Sequence, residues 1–311
     1  MPDGGYDFVG CLSTEDRCLT SRLLCSQRVR LEREMLVCIA DADSQYTDII
    51  EEKLENNRLK YQVHGGNLDN VHDCSLLASR GSVVQSIDQA IHESGGNIVL
   101  DISTLPKRYF FCYIKRILAS AKVRNFVVTN TLPLRYTQEE LAENYSSWSP
   151  LPLFDPPFEA ERHKHLIIAV GHTPMGLTDK VDALAKDVRV ELLFPFPGTP
   201  KSFKATWEFV QSIEHALGEI KLKHINARDA SETYNHFFHA TNEGNDGVLF
   251  APFGPKPFSL AMALFASKYN QSVCYTQPQV YHPDYSIGVL EKQGVPQTIG
   301  YVVRVEGRDL Y

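Results

Sequence analysis

The chain has 311 residues, enough for one large domain or two medium ones, and its 43% apolar and 22% charged residues allow a sizeable core. A net charge of −7 argues against a broad nucleic-acid surface, which needs clustered Lys and Arg to displace counterions. No apolar run reaches the roughly 18 residues of a membrane helix. MPDGGYDFVG lacks the regions of a secretion signal, and seven cysteines without a CxxC pair read as buried thiols in a reducing cytoplasm.

In chain order, DFVGCLS (7–13), EMLVCIAD (34–41), GNIVLDIS (96–103) and NFVVTNT (125–131) read as strands. Helical patterns occupy 16–29, 45–57, 82–94 and 106–122. Continuous apolar strands alternating with helices predict a parallel sheet covered on both faces. SSWSPLPLFDPPFEAE (146–161), with its prolines, reads as a connector. Alternation then resumes with strands at 164–173, 188–196, 247–253 and 272–278. Helices are expected near 176–187, 201–216, 228–241 and 257–269. A last strand, IGYVVRV (299–305), follows with little between, which suits an antiparallel edge. The expected fold class is α/β, with two tandem Rossmann-like parallel-sheet lobes at 1–145 and 162–311.

The halves rhyme. VLDIS with Pro106-Lys107 and its helix matches VLFAP with Pro255-Lys256 and its helix without a gap, and NFVVTNTLPLRY matches SVCYTQPQVYHPDY after a short shift. An internal duplication is one reading. The other is that any two α/β halves look alike at this level.

Ligands of open parallel sheets bind beyond the carboxyl ends of the strands, near the reversal of strand order. The first strand delivers Ser13, Thr14, Glu15, Asp16 and Arg17; Ser13 or Thr14 suits a helix N-cap, whereas Arg17 opposes the helix dipole and could face an anion. Asp41 and Asp43 end the second strand as ribose ligands, as an i, i+2 pair for Mg²⁺, or as a cap and a solvated loop acid. Asp101, Ser103, Thr104, Lys107 and Arg108 surround a helix start, forming a phosphate cradle or, with Asp101 as partner, an internal ion pair. Gly254 and Lys256 repeat part of that pattern. His172 and Thr173 end the first strand of the second half, where His172 is a candidate general base or a structural histidine. Gln277, Tyr281 and Tyr285 suit stacking on a base and reading its edge, or merely a rigid loop. His236 and His239 share a helix face, which fits either a metal pair with Glu232 or a packed helix. No GxGxxG, Walker loop, GxSxG or HExxH occurs. Asp41, Asp101 and His172 are the catalytic candidates, no metal site is assigned, and the cofactor is open apart from Mg²⁺.

GVLFAPFGPKPFSLAMAL resembles the loop of CARF-type Rossmann domains, which reads Thr-Gly-Gly-Thr-Lys before an apolar helix. Gly254 and Lys256 are shared, while Pro252, Phe253 and Pro255 depart from that pattern. DISTLPKR keeps Ser-Thr and Lys without the glycine. The resemblance implies a nucleotide-binding sensor or effector of prokaryotic antiviral defence, with a nucleotide-like small molecule as partner. Alternatives are a Mg²⁺-dependent enzyme acting on nucleotides or nucleic-acid ends, and a subunit that binds a protein partner or its own copies.

Overall fold

The computed structural model describes residues 4–40, 43–155, 163–171, 177, 188–198, 200–214 and 220–311. It is α/β, with seven α-helices among the described residues and two sheets built around parallel strands. The chain divides into two compact units. One comprises the residues up to Asn144 with Pro278–Leu310; the other comprises Tyr145–Gln277 with Tyr311. No helix among the described residues is long and apolar enough to cross a membrane.

The first unit opens with β1 (Tyr6–Leu12), α1 (Thr20–Ser26), β2 (Leu31–Ala40), α2 (Thr47–Val63) and β3 (Val71–Ser75). It continues with α3 (Arg80–Glu93), β4 (Asn97–Asp101), α4 (Lys107–Ala119) and β5 (Asn125–Thr131). These five strands are parallel, in the spatial order 3-2-1-4-5. Right-handed crossovers then put α1 and α2 on one face and α3 and α4 on the other. Tyr6, Phe8, Leu12, Leu36 and Cys38 alternate onto the first face and pack with Tyr61 of α2 in a buried cluster. β6 (Pro133–Tyr136) and β7 (Ala142–Tyr145) follow.

The second unit begins with β8 (Ser149–Pro150), β9 (His163–Ala169), β10 (Arg189–Phe196), α5 (Pro200–Glu214) and β11 (Ile220–Asn226). α6 (Ala230–Ala240), β12 (Gly247–Pro252), α7 (Lys256–Tyr269) and β13 (Ser272–Tyr275) complete it. Its sheet order is β11-β10-β9-β12-β13-β8, parallel except for β8. Phe237 of α6, Phe250 of β12 and Phe265 of α7 form an aromatic core with ring centroids 4.7–5.9 Å apart.

From Pro278 the chain belongs to the first unit: β14 (Pro278–Tyr281), β15 (Ser286–Val289), β16 (Glu291–Lys292), β17 (Val295–Pro296), β18 (Thr298–Val305) and β19 (Arg308–Asp309). β18 pairs antiparallel with β5 and β15 with β6. The expected lobe of 162–311 is therefore corrected: 278–310 groups with the N-terminal half, and of its strands β18 and β19 extend that half's sheet. The antiparallel reading of 299–305 agrees with the pairing, although β19 lies outside β18.

Among the parallel strands, two escaped the sequence reading, and the short strands β6–β8, β14–β17 and β19 escaped it as well. β3 (VHDCS) and β11 (IKLKHIN) are sheet-edge strands whose residues are mostly exposed, so they carry polar side chains and no apolar run. The helix expected near 176–187 falls outside the described residues apart from Leu177.

Candidate functional site

In the first unit strand order reverses between β1 and β4, so the carboxyl ends of these strands and of β5 are the candidate site. Asp101 ends β4 at 1% exposure and faces α1. Its Oδ1 accepts from Ser103 N (3.2 Å), Ser103 Oγ (2.5 Å) and Thr129 Oγ1 (3.2 Å). Ser21 Oγ of α1 donates to Thr129 Oγ1 (2.6 Å), and Thr131 N donates to Ser103 Oγ (2.7 Å). Asp101 Oδ2 is buried with no hydrogen-bond partner. Burial pushes this carboxyl up to about 6, against the opposing pull of the Ser103 hydrogen bonds and the Arg17 charge.

Asp101 thus takes its hydrogen bonds from hydroxyls and an amide. That corrects its reading as the ion-pair partner of the helix cations, and its enclosure removes it from contact with a ribose or metal in solvent. Ser103 is fully buried within the same network and serves the corner rather than a ligand. Thr104 is half-buried, and its Oγ1 donates to Cys11 O (3.1 Å), tying the tip of β4 to β1 across the reversal. Arg108 Nη2 donates to Ala78 O (2.8 Å), which directs that cation toward the loop after β3. Lys107 is the first residue of α4, half-buried, and no side chain caps this helix.

Arg17 is likewise corrected. It is 2% exposed, donating to Glu15 Oε2 (Nε 3.0 Å, Nη2 2.9 Å), Ser286 Oγ (3.1 Å) and Thr131 O (2.7 Å). Ser286 Oγ donates to the same Glu15 oxygen. This buried guanidinium joins the β1 loop to β15, and its charge is answered within the protein. Ser13 caps no helix: α1 starts at Thr20, while Ser13 Oγ accepts from Glu15 N (3.2 Å) and Ser13 O from Asn57 Nδ2 (2.7 Å). Asp43 is exposed. Tyr281 and Tyr285 make an edge-to-face pair at 5.8 Å in the first unit, with Tyr136 5.9 Å from Tyr285. Gln277 belongs to the second unit and is buried there. Asp41, His172 and Thr173 lie outside the described residues.

The corresponding corner of the second unit is closed by backbone packing. A Cβ on Gly254 would stand 2.8 Å from Ala169 Cβ, and one on Gly171 would stand 3.2 Å from Gly254 Cα. Glycine at both tips lets β9 and β12 approach where strand order reverses. Lys256 opens α7, half-buried, beyond Pro255. The gap-free match of the two corners does not survive the sheet registers. Five residues separate β4 from α4, but three separate β12 from α7. Phe250, matched to Asp101, faces α6 and α7, whereas Asp101 faces α1.

His236 does not join His239 in a metal pair. Its Nε2 lies 3.0 Å from Glu191 Oε2, and Glu232 Oε2 accepts from Asn226 N (3.3 Å). No three His, Cys, Asp or Glu side chains converge on a metal-sized space among the described residues. Glu191, 5% exposed inside β10, was missed as a site of interest; an acid within an otherwise apolar strand was the available signal. Thr129 and Asn130 were also missed, because a strand-end Thr-Asn-Thr is ordinary in sequence.

No family model matches the chain, and no curated protein matches it. A functionally unknown protein from Pseudomonas aeruginosa PAO1 is similar over 88% of this chain and 92% of its own, at 9% identity and a TM-score of 0.25. A structure of the adenylation, ketoreductase and pseudo-Asub domains of a keto acid-selecting NRPS module is similar over 86% of this chain and 32% of its own, at 10% identity and a TM-score of 0.23. Likeness this weak carries no assignment, and the fold rests on strand order and pairing.

Proposed function

We propose that the first unit binds a phosphate-bearing ligand of the nucleotide class beyond the carboxyl ends of β1 and β4, and that the protein acts as a cytoplasmic sensor or effector. The observation that carries this reading is the N-terminus of α4. It has no side-chain cap, it opens with Lys107, and it lies beside the reversal between β1 and β4. An uncapped helix start joined to a cation suits an anion. Thr104, Ser13 and Thr14 bring half-buried hydroxyl side chains to the same strand ends. Tyr281 and Tyr285 supply aromatic faces in this unit for a base. The antiviral nucleotide-sensing class that the lysine-bearing corners resemble belongs to this proposal.

The two units descend, in the same proposal, from one duplicated Rossmann-like unit. The shared order 3-2-1-4-5 supports this, as does one antiparallel strand beside the fifth strand of each sheet, β18 by β5 and β8 by β13.

Thermal unfolding with ATP, cyclic oligoadenylate or inorganic phosphate tests the site. Ligand at about 100 times its Kd should stabilise the native chain by about 2.7 kcal/mol. Lys107→Ala should abolish the shift and leave the unliganded melting temperature unchanged. Failure of all three probes to stabilise the wild type, or an undiminished shift in the variant, overturns the proposal.

A further inference from the structure

Away from the strand tips, the first unit carries a half-open groove of about 840 Å³ between α3 and the sheet face formed by β1, β2 and β3. Ser82, Ser86, Gln89 and Glu93 line one wall at i, i+4, i+7 and i+11. The groove therefore follows α3 for three turns, about 16 Å. Its floor is apolar, with Val9, Met35 and Cys74 contributed by three neighbouring strands. α3 and α4 cover this face of the five parallel strands, and the groove runs beside α3.

Asp7, Asp69 and Glu93 line it together with one guanidinium, Arg33, whereas the carboxylates of Glu34 and Asp73 turn to the opposite sheet face, toward α1 and α2. Glu32, Glu34 and Asp73 are answered by Arg30, Arg22 and Arg58. Asp7 accepts from Gly95 N and has Arg33 and Lys122 nearby. Asp69 and Glu93 have no ion-pair partner among the described residues. Both stand where β3 begins and α3 finishes, and the C-terminal end of the α3 dipole adds negative potential there.

We propose that this groove docks a basic amphipathic helix of a partner protein. An apolar stripe three turns long matches the floor, and cationic residues on its flank meet Asp69 and Glu93. A second copy using the same groove about a twofold axis would bring together two surfaces of the same negative sign, which disfavours self-association.

The test uses the full chain and a fluorescent Lys/Leu amphipathic peptide of about 14 residues, with a photo-crosslinker on its apolar face and a Glu/Leu peptide as comparison. The basic peptide should bind and crosslink to segments 32–35, 69–75 and 82–93. Asp69→Lys with Glu93→Lys should weaken binding at least about tenfold, while Glu51→Lys with Glu55→Lys, an equal charge change on exposed α2, should alter it less than about twofold. Unchanged melting temperatures certify folding of both variants. Equal binding of the acidic peptide, equal loss in both variants, or crosslinks elsewhere overturns the proposal. So does a micromolar dimer in light scattering that Glu93→Lys dissociates, since the groove would then belong to a second copy.

Discussion

The strand tips of the two units solve one problem by different chemistry. In the first unit the tips are joined by polar groups. Thr104 bonds to Cys11 O, Asp101 gathers Ser103 and Thr129, and Arg17 pins Glu15, Thr131 and Ser286. In the second they meet through contact between Gly171 and Gly254, with Phe250 in an aromatic core. Buried polar networks incur a desolvation cost that packed apolar groups avoid. The first corner therefore carries the larger sensitivity to charge and pH, and the second the larger sensitivity to volume. A shared Pro-Lys pair before a helix is compatible with both.

The most severe way to break this contrast is Arg17→Ala, which leaves Glu15 buried beside Ser286 without its counter-charge. Stability in urea at pH 7 should fall by about 3–5 kcal/mol. A loss below about 1 kcal/mol, the range of a surface pair, would remove the ionic tie from the description of the first unit.

Asp101→Asn tests the pH side. Burial holds the folded carboxyl at about 6, above its ordinary value near 3.9. Between these values the folded chain retains a proton that the unfolded chain has released. The stability associated with the neutral form is complete below about pH 4 and is lost as pH rises through 6, on the order of 2–3 kcal/mol. The amide cannot ionise, so the variant should gain by that amount relative to wild type between pH 4 and 7. A difference that stays flat over this range would place the titration elsewhere.

The smallest effect is expected from Gly254→Ala. The added methyl meets Ala169 at 2.8 Å and should cost about 1–2 kcal/mol through overpacking, with no pH dependence. An unchanged urea midpoint would mean that the second corner has room to spare.

Much of the fold was legible because its central strands are apolar runs. β1, β4, β5, β9, β10 and β12 stand out between helical patterns for the same reason that they are buried on both faces. β3 and β11 were not legible, since an edge strand is exposed and its residues need no apolar pattern. The site was legible as a location. Strand tips near the start of α4 followed from alternation alone, but the partners of each side chain did not. Arg17 and Arg108 look identical in sequence to free cations at a helix start. One is consumed by Glu15, 2 residues away, and by Ser286, 269 residues away; the other donates to Ala78 O, 30 residues away.

The sequence by itself determined an α/β chain with parallel sheets, because hydrophobic periodicity and helix spacing are local properties. Only the tertiary structure decided that residues 278–310 join the N-terminal half. The antiparallel pairing of β18 with β5 is a contact between segments that share no local signal. It also decided that Asp101 and Phe250 face opposite sides of their sheets. Strand side chains alternate, so corners of five and three residues need not place matched residues alike, however closely their letters agree.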